Sequence, residues 1–229
     1  MGVTDPTLLA FDTSGPHIAG AVLHQDAVIA ERQIEMARGQ AEGLFPLLET
    51  LLTEASLTWQ NLHGIAVGIG PGNFTGIRIS VAAARGLALG LGIPSIGVSN
   101  FELLLDPMGP LAEPALLLSL EAPRGQAYVQ HFRYGIAQSL PRLIDPSAPP
   151  ADLELPINMR VMGHHAQQIA APFHANWHEA RPQEIGPRMV RRAEWLLAQA
   201  GKALPRPAPL YARAADAAPA RDSPPEIVG

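Results

Sequence analysis

Cysteine is absent from this chain of 229 residues, which excludes a disulfide framework, a thiolate metal site and a cysteine nucleophile. Charged residues are also scarce, at 16%, whereas hydrophobic residues make up 47%. Much apolar surface must therefore be buried, either inside the chain or against another one. The net charge of −5 disfavours tight, unaided binding of nucleic acid. The composition predicts a globular protein with a permanent protein partner.

Targeting signals are missing as well. The amino terminus has no basic region before an apolar run, and Pro6 occupies the position where a myristoylation signal needs Ser or Thr. No apolar run has the length of a membrane span. We expect a cytoplasmic protein that does not bind membranes.

The first half of the chain has an ordered pattern of apolar runs. Runs at 7–12, 18–23 and 27–30 predict a three-stranded meander. Helical spacing over 40–55, with Pro46 placed in the first turn, is followed by a strand, a helix over 75–91 and a strand. The order β-β-β-α-β-α-β predicts a mixed five-stranded sheet with helices, the ribonuclease-H-like or actin-like α/β fold.

The second half is less regular. It predicts a hairpin over 115–120 and 127–132, a proline-rich stretch, and a helix over 187–200. We expect a smaller, degenerate second α/β domain and an extended tail rich in Ala and Pro. The predicted divisions are 1–104, 105–204 and 205–229.

The glycine-rich stretch GIGPGNFTGIRIS, residues 68–80, lies between a strand and a helix. It is not a Walker loop, because no lysine follows Gly76, and it is not a dinucleotide fingerprint, because Asn73 stands where the last glycine belongs. Either a tight capped turn or an anion site remains. We favour the turn and predict no cofactor; the candidates for a weak nucleotide site are Asp12, Thr13, Gly70, Gly72 and Thr75.

Asp12 ends the first predicted strand, where actin-like kinases place an acid for a metal-bound phosphate. No second acid at a matching site can be identified, so we expect Asp12 and Thr13 to satisfy local backbone groups instead. A small-molecule kinase or ATPase is the alternative function.

A metalloprotease is a further, less favoured alternative. A zincin needs His-Glu-x-x-His, whereas His174 and His178 flank Ala175 in the position of the glutamate. We predict no metal site and no catalytic residue.

The helix predicted over 75–91 is small and apolar nearly all round, with Arg78 and Arg85 as its only charges. Either the neighbouring helix covers it, or another subunit does. For the second case, Ala84→Arg should break an oligomer and leave the monomer folded. The predicted interface comprises Leu44, Leu48, Leu51, Ile77, Arg78, Val81, Ala84, Arg85 and Ala88.

Three stretches carry a resemblance to the TsaB (YeaZ) family: IAVGIGPGNFTGIRISVAAARGLALGLGIPSIGVSNF from Ile65 to Phe101, FDTS from Phe11 to Ser14, and Tyr211-Ala212-Arg213. The chain departs from the family at Gln40-Ala41-Glu42, where His-Ser-Glu is frequent. It departs again at Glu121-Ala122-Pro123-Arg124, where an Asp-Ala-Arg turn is frequent.

The resemblance implies a degenerate actin-like kinase fold and a noncatalytic role. Such proteins are scaffold and activating subunits for a TsaD-type catalytic subunit, which transfers threonylcarbamoyl to the adenosine beside a tRNA anticodon. A TsaE-type ATPase is the third component. The resemblance implies a helical bundle with the partner, a homodimer when the partner is absent, and only indirect contact with tRNA.

Overall fold

The computed structural model describes residues 5–105, 115–153, 155–156, 159–199 and 204–212. The first half of the chain follows the predicted order of elements. Its members are β1 (Leu8–Asp12), β2 (His17–His24), β3 (Ala27–Glu35), α1 (Gln40–Glu54), β4 (Gly64–Gly68), α2 (Phe74–Leu91) and β5 (Ser95–Val98).

These strands form one five-stranded sheet in the order β3-β2-β1-β4-β5. β1, β2 and β3 pair antiparallel, whereas β4 is parallel to both β1 and β5. Every residue of β1 and β4 is buried, because helices cover both faces of the sheet. The predicted meander and mixed sheet are confirmed.

α1 and α2 cover one face of this sheet with a continuous apolar cluster. Pro46 lies in the second turn of α1, not in the first as predicted, because the helix begins at Gln40. The Pro46 carbonyl accepts a hydrogen bond from the Thr50 hydroxyl at 2.8 Å.

The second half forms a six-stranded sheet in the order β11-β10-β6-β7-β8, with β9 paired to β7. The predicted hairpin is confirmed as the antiparallel pair of β6 and β7. The elements are β6 (Leu116–Glu121), β7 (Ala127–Arg133), β8 (Ile136–Ala137), β9 (Arg142–Ile144), β10 (Arg160–Gly163), α3 (Ala166–Ala170) and β11 (Asn176–Glu179).

The last helix, α4 (Ile185–Gln199), returns to the first sheet. Met189, Val190 and Ala193 are buried against residues of β1, β2 and β5. The prediction placed this helix in the second domain, but its apolar side covers the open face of the first sheet, which the residues of one helix alone do not reveal.

The described part of the tail, 204–212, contains no helix or strand and runs beside α2. The backbone N–H of Leu210 donates to the carbonyl of Ile69 at 2.8 Å. Arg213 and the predicted tail beyond it lie outside the described residues.

α2 has a mean hydropathy of 1.3 over 18 residues, so by length and composition it reaches the range of a membrane span. This differs from the expectation that no run was long enough. A core helix meets the same criterion, and one side of α2 packs on the sheet.

Candidate functional site

The loop after β1 crosses the glycine-rich loop before α2. Asp12 and Thr13 are fully buried at this crossing. Asp12 Oδ2 accepts hydrogen bonds from the Ser14 N–H at 3.0 Å and the Ser14 hydroxyl at 2.9 Å, and it lies 2.8 Å from His17 Nε2. The Thr13 hydroxyl donates to the Gly76 carbonyl at 2.6 Å. Both side chains therefore hold the chain together locally.

Three glycines allow the two loops to approach. A Cβ at Gly68 would overlap the Asp12 carboxylate, and a Cβ at Gly72 or Gly76 would overlap the backbone at residues 13–14. The glycines thus serve close packing.

The start of α2 is capped by its own sequence. Asn73 Oδ1 accepts the backbone N–H groups of Thr75 and Gly76, each at 3.0 Å. These are the donors that an anion would use at a helix N-terminus. The structure brings Asp12, Thr13 and Gly72 together and leaves Thr75 exposed, whereas Gly70 is buried beside Ile77. The geometry supports a packed, capped turn.

The rings of His164 and His165 contact each other, with centroids 3.9 Å apart, but His174 and His178 do not form a helical pair. His178 lies in β11 and His174 precedes that strand, so the helical spacing considered for a zinc pair does not exist. Over the ranges that the structure describes, no group of three or more His, Asp and Glu side chains is arranged to hold a metal. Burial, followed by the charge of His165, lowers the pKa of His164 below 6.5.

The apolar members of the predicted partner interface are buried in the core of the single chain, under α1 and α2. Ala84 has no exposed surface, so Ala84→Arg would unfold the monomer. Arg78 and Arg85 are exposed. The buried residues are Leu44, Leu48, Leu51, Ile77, Val81, Ala84 and Ala88.

The exposed side of α2 has a small-residue strip, defined as Ala82, Ala83, Gly86 and Gly90. Each of these residues is exposed or half-buried. A Cβ at Gly86 or Gly90 would meet no atom within 4 Å. Glycine costs a helix interior about 1 kcal/mol relative to alanine. Nothing in the described chain requires this cost, so these glycines are typical of a surface that another backbone approaches closely.

A second exposed surface lies where α2 faces the tail. The guanidinium of Arg78 stacks on Phe74 with its carbon 3.6 Å from the ring centroid, and its Nε donates to the Tyr211 hydroxyl at 2.9 Å. Phe74 and Tyr211 contact each other with centroids 5.2 Å apart. The sequence predicted Arg78 as an interface residue but did not bring it together with Phe74 and Tyr211, since Tyr211 is 133 positions away in the chain.

Sequence reasoning also missed His17 and Asn100 at the loop crossing. Asn100 Nδ2 donates to the Ser14 hydroxyl at 2.9 Å and to the Pro71 carbonyl at 2.8 Å. A single sequence offers no signal for these partners. The two exposed helix glycines were visible in the sequence, and their spacing of four was the signal that could have located the strip.

Known proteins resemble this chain in sequence and in fold. A family model described as TsaD, tRNA N6-adenosine threonylcarbamoyltransferase, matches residues 28–150. An uncharacterized protein of Mycobacterium tuberculosis is 33% identical over 93% of this chain and 94% of its own length. The tRNA threonylcarbamoyladenosine biosynthesis protein TsaB of Bacillus subtilis is 35% identical over 56% of each chain. TsaB of Escherichia coli is 35% identical over 55% of this chain and 54% of its own.

Among solved structures, YeaZ from Pseudomonas aeruginosa superimposes with a TM-score of 0.64 at 22% identity, covering 87% of this chain and 95% of its own. A Pseudomonas aeruginosa protein described as similar to peptidase YeaZ superimposes with a TM-score of 0.67 at 22% identity. The match covers 91% of this chain and 100% of that protein. With the sheet order, this likeness confirms the predicted ribonuclease-H-like, actin-like fold. The chain belongs to the family of the matching model, and within it to the TsaB (YeaZ) proteins.

Proposed function

We propose that this chain is a noncatalytic subunit in tRNA threonylcarbamoyladenosine biosynthesis, which binds a TsaD-type catalytic subunit through the small-residue strip of α2. The pathway comes from the names of the relatives in Bacillus subtilis and Escherichia coli. The observation that carries the binding surface is the exposure of Gly86 and Gly90, which face open space.

The noncatalytic role is supported by the loop crossing at Asp12. An actin-like kinase needs room there for phosphate and metal, but the backbone at residues 13–14 packs against Gly72 and Gly76. Asp12 Oδ2 is engaged by Ser14 and His17, while its Oδ1 is buried without a hydrogen-bond partner among the described residues. The hydrogen bonds to Oδ2 favour a structural role for Asp12.

The binding role is supported by the residues of α1 and α2 that remain exposed on the surface of the chain. On α1, Phe45 is 43% exposed, whereas all five leucines of the helix are buried. On α2, the small residues permit a partner helix to approach at short interaxial distance. We propose that α1 and α2 together form a helical bundle with the catalytic subunit, in the cytoplasm.

Two further contacts belong to this proposal. A TsaE-type ATPase joins the complex as a third component. In the absence of the catalytic subunit, the same surface pairs with a second copy of the chain, because an exposed apolar strip is stabilised by cover. Contact with the adenosine to be modified remains with the catalytic subunit.

The affinity of the Gly86→Arg variant for the catalytic subunit tests the proposed binding surface. The new side chain enters open space in the monomer, so the chain should stay folded, while a bulky cation on the strip blocks close approach. We expect at least a hundredfold loss in affinity for the catalytic subunit, measured by calorimetry. Ala198→Arg, at an exposed alanine near the end of α4, is the matched control and should bind normally.

Unchanged binding by Gly86→Arg would refute the assignment of the strip. A wild-type chain that captures no TsaD-type subunit from its own cells would refute the proposed function as a whole. Circular dichroism of each variant distinguishes a lost surface from a lost fold.

A further inference from the structure

The side of α2 that faces the tail contains a second candidate surface, which we call the arginine groove. Two cavities of about 490 and 420 Å³ lie between α2 and residues 204–209, and Arg85 lines both of them. Arg206 lines the first cavity and Arg78 lines the second. The remaining lining residues include Ala82 and Gly86, which also belong to the small-residue strip, so the groove borders that strip, and none of the described lining residues is acidic.

The three arginines of the groove have no acidic partner within the described ranges. Arg85 and Arg206 make no hydrogen bond or ion pair there, and Arg78 bonds only to Tyr211. The chain carries a net charge of −5, so a basic groove without acids stands out against its surroundings. Such a groove attracts anions.

Arg78 is held ready for an anion. Stacking on Phe74 at 3.6 Å and the hydrogen bond from Nε to Tyr211 fix the plane of the guanidinium. Its terminal N–H groups are left to donate, and a fixed fork loses little entropy when it binds an oxyanion. Carboxylate and phosphate both match this geometry.

The aromatic residues favour a nucleic acid over a carboxylate surface. Phe74 and Tyr211 are 38% and 42% exposed beside Arg78. A basic groove that follows a backbone, combined with exposed rings on which bases stack, is the arrangement of single-stranded nucleic acid sites. Arg78 and Arg85 lie two helical turns apart, about 10 Å along the axis, so they meet an extended chain and not one small anion.

We propose that the arginine groove binds a single-stranded segment of RNA, with phosphates on Arg78, Arg85 and Arg206 and a base against Phe74 or Tyr211. The inference rests on the proposed function in that the RNA is the tRNA whose anticodon loop is modified. It changes the expectation of indirect contact: this subunit holds the substrate backbone, while the catalytic subunit acts on the base.

The salt dependence of RNA binding tests the proposal. The probe is a fluorescently labelled anticodon stem-loop RNA, and its anisotropy is measured over a series of salt concentrations with the full chain, alone and with the catalytic subunit. Each lost phosphate contact on a single strand reduces the slope of log K against log salt by about 0.7. For Arg78→Gln combined with Arg85→Gln, we expect a slope smaller by about 1.4 and at least a tenfold lower affinity at low salt.

Arg133→Gln is the matched control. Arg133 is exposed and lies over the Tyr134 ring at 5.7 Å, but it belongs to the second sheet. It should leave the affinity and the slope unchanged. Arg78→Lys combined with Arg85→Lys should retain the slope, because the charges remain. This variant should lose part of the affinity, because lysine lacks the planar guanidinium that stacks on Phe74.

Several results would overturn the inference: no RNA binding by the wild type in either state, equal binding by the double variant, or an equal loss in Arg133→Gln. If the double variant no longer bound the catalytic subunit but still bound RNA as the wild type does, the groove would instead be assigned to an acidic protein surface. Failure of the proposed function looks different, because RNA would still bind through the arginines while no catalytic subunit is captured.

Discussion

Glycine has two different physical roles in this molecule. Gly76 lies at the loop crossing, where a Cβ would overlap the Thr13 carbonyl. Gly86, ten residues further along the same helix, faces open space. The fold of the chain itself requires glycine at 76. Glycine at 86 weakens the helix, and no contact within the described chain requires it. The contrast separates packing from binding at the level of single residues.

Alanine substitution at these two glycines should shift stability in opposite directions. Gly86→Ala should raise the free energy of unfolding by about 1 kcal/mol, because alanine is the better helix former and meets no atom. Gly76→Ala should lower it by about 1–3 kcal/mol, because the backbone of Thr13 must move. Urea unfolding followed by circular dichroism measures both. A loss of stability in Gly86→Ala would contradict the assignment of this residue to a binding surface.

The sequence showed where these glycines are but could not show what each one faces. Gly76 is separated from the Thr13 carbonyl by sixty-odd positions in the chain, and the approach depends on the parallel pairing of β1 with β4. Likewise, Asp12 was located correctly at a strand end, while its partner His17 becomes apparent only in the folded hairpin.

At the scale of elements, α2 shows why periodicity finds a core more readily than an interface. From the sequence, α2 is apolar nearly all round, and Ile77 and Ala84 were predicted to contact a partner, whereas in the structure they lie on the side that faces the core. The exposed strip is small rather than strongly apolar, so it gives no comparable signal. The elements themselves were predictable because their apolar runs have clear periods and clear turn residues between them.

The N-terminus of α2 provides a prediction about the glycine-rich loop. Asn73→Ala should lower the free energy of unfolding by about 1 kcal/mol, because the N–H groups of Thr75 and Gly76 lose their acceptor. Asn73→Asp should retain most of the stability, since its carboxylate also caps and favours the positive end of the helix. Thermal unfolding at low ionic strength compares the two variants. If Asn73→Ala were neutral, the loop could not be described as a capped turn.

At the scale of the whole molecule, the two sheets are joined by a buried arginine. Arg192 on α4 is 1% exposed and donates twice to Glu102 Oε1, each time at 3.0 Å. It also donates to the Gly135 carbonyl at 2.6 Å, in the turn between β7 and β8. Glu102 Oε2 accepts the backbone N–H of Ser99 at 2.9 Å. One guanidinium therefore connects the last helix, the end of the first sheet and an edge of the second.

No local pattern in the sequence predicts this connection, because its partners are 90 and 57 residues away along the chain. The same separation explains why α4 was assigned to the second domain. Its own amphipathic pattern indicates that one side is buried. Which sheet it covers is decided by the path of the entire chain.

Arg192→Met should therefore weaken the junction of the two sheets. Removal of one partner from a buried pair leaves Glu102 without its counter-charge and costs about 3 kcal/mol.

Arg191→Met is the matched control on the same helix. Arg191 is 20% exposed and pairs with Asp26, whose side chain is 69% exposed, and with Glu194, whose side chain is 19% exposed, so its loss should cost less than the loss of the fully buried Arg192. We expect urea unfolding of the Arg192 variant to separate into two transitions when tryptophan fluorescence and circular dichroism are compared. A single transition at the wild-type midpoint would show that the sheets are held together by their apolar contacts alone.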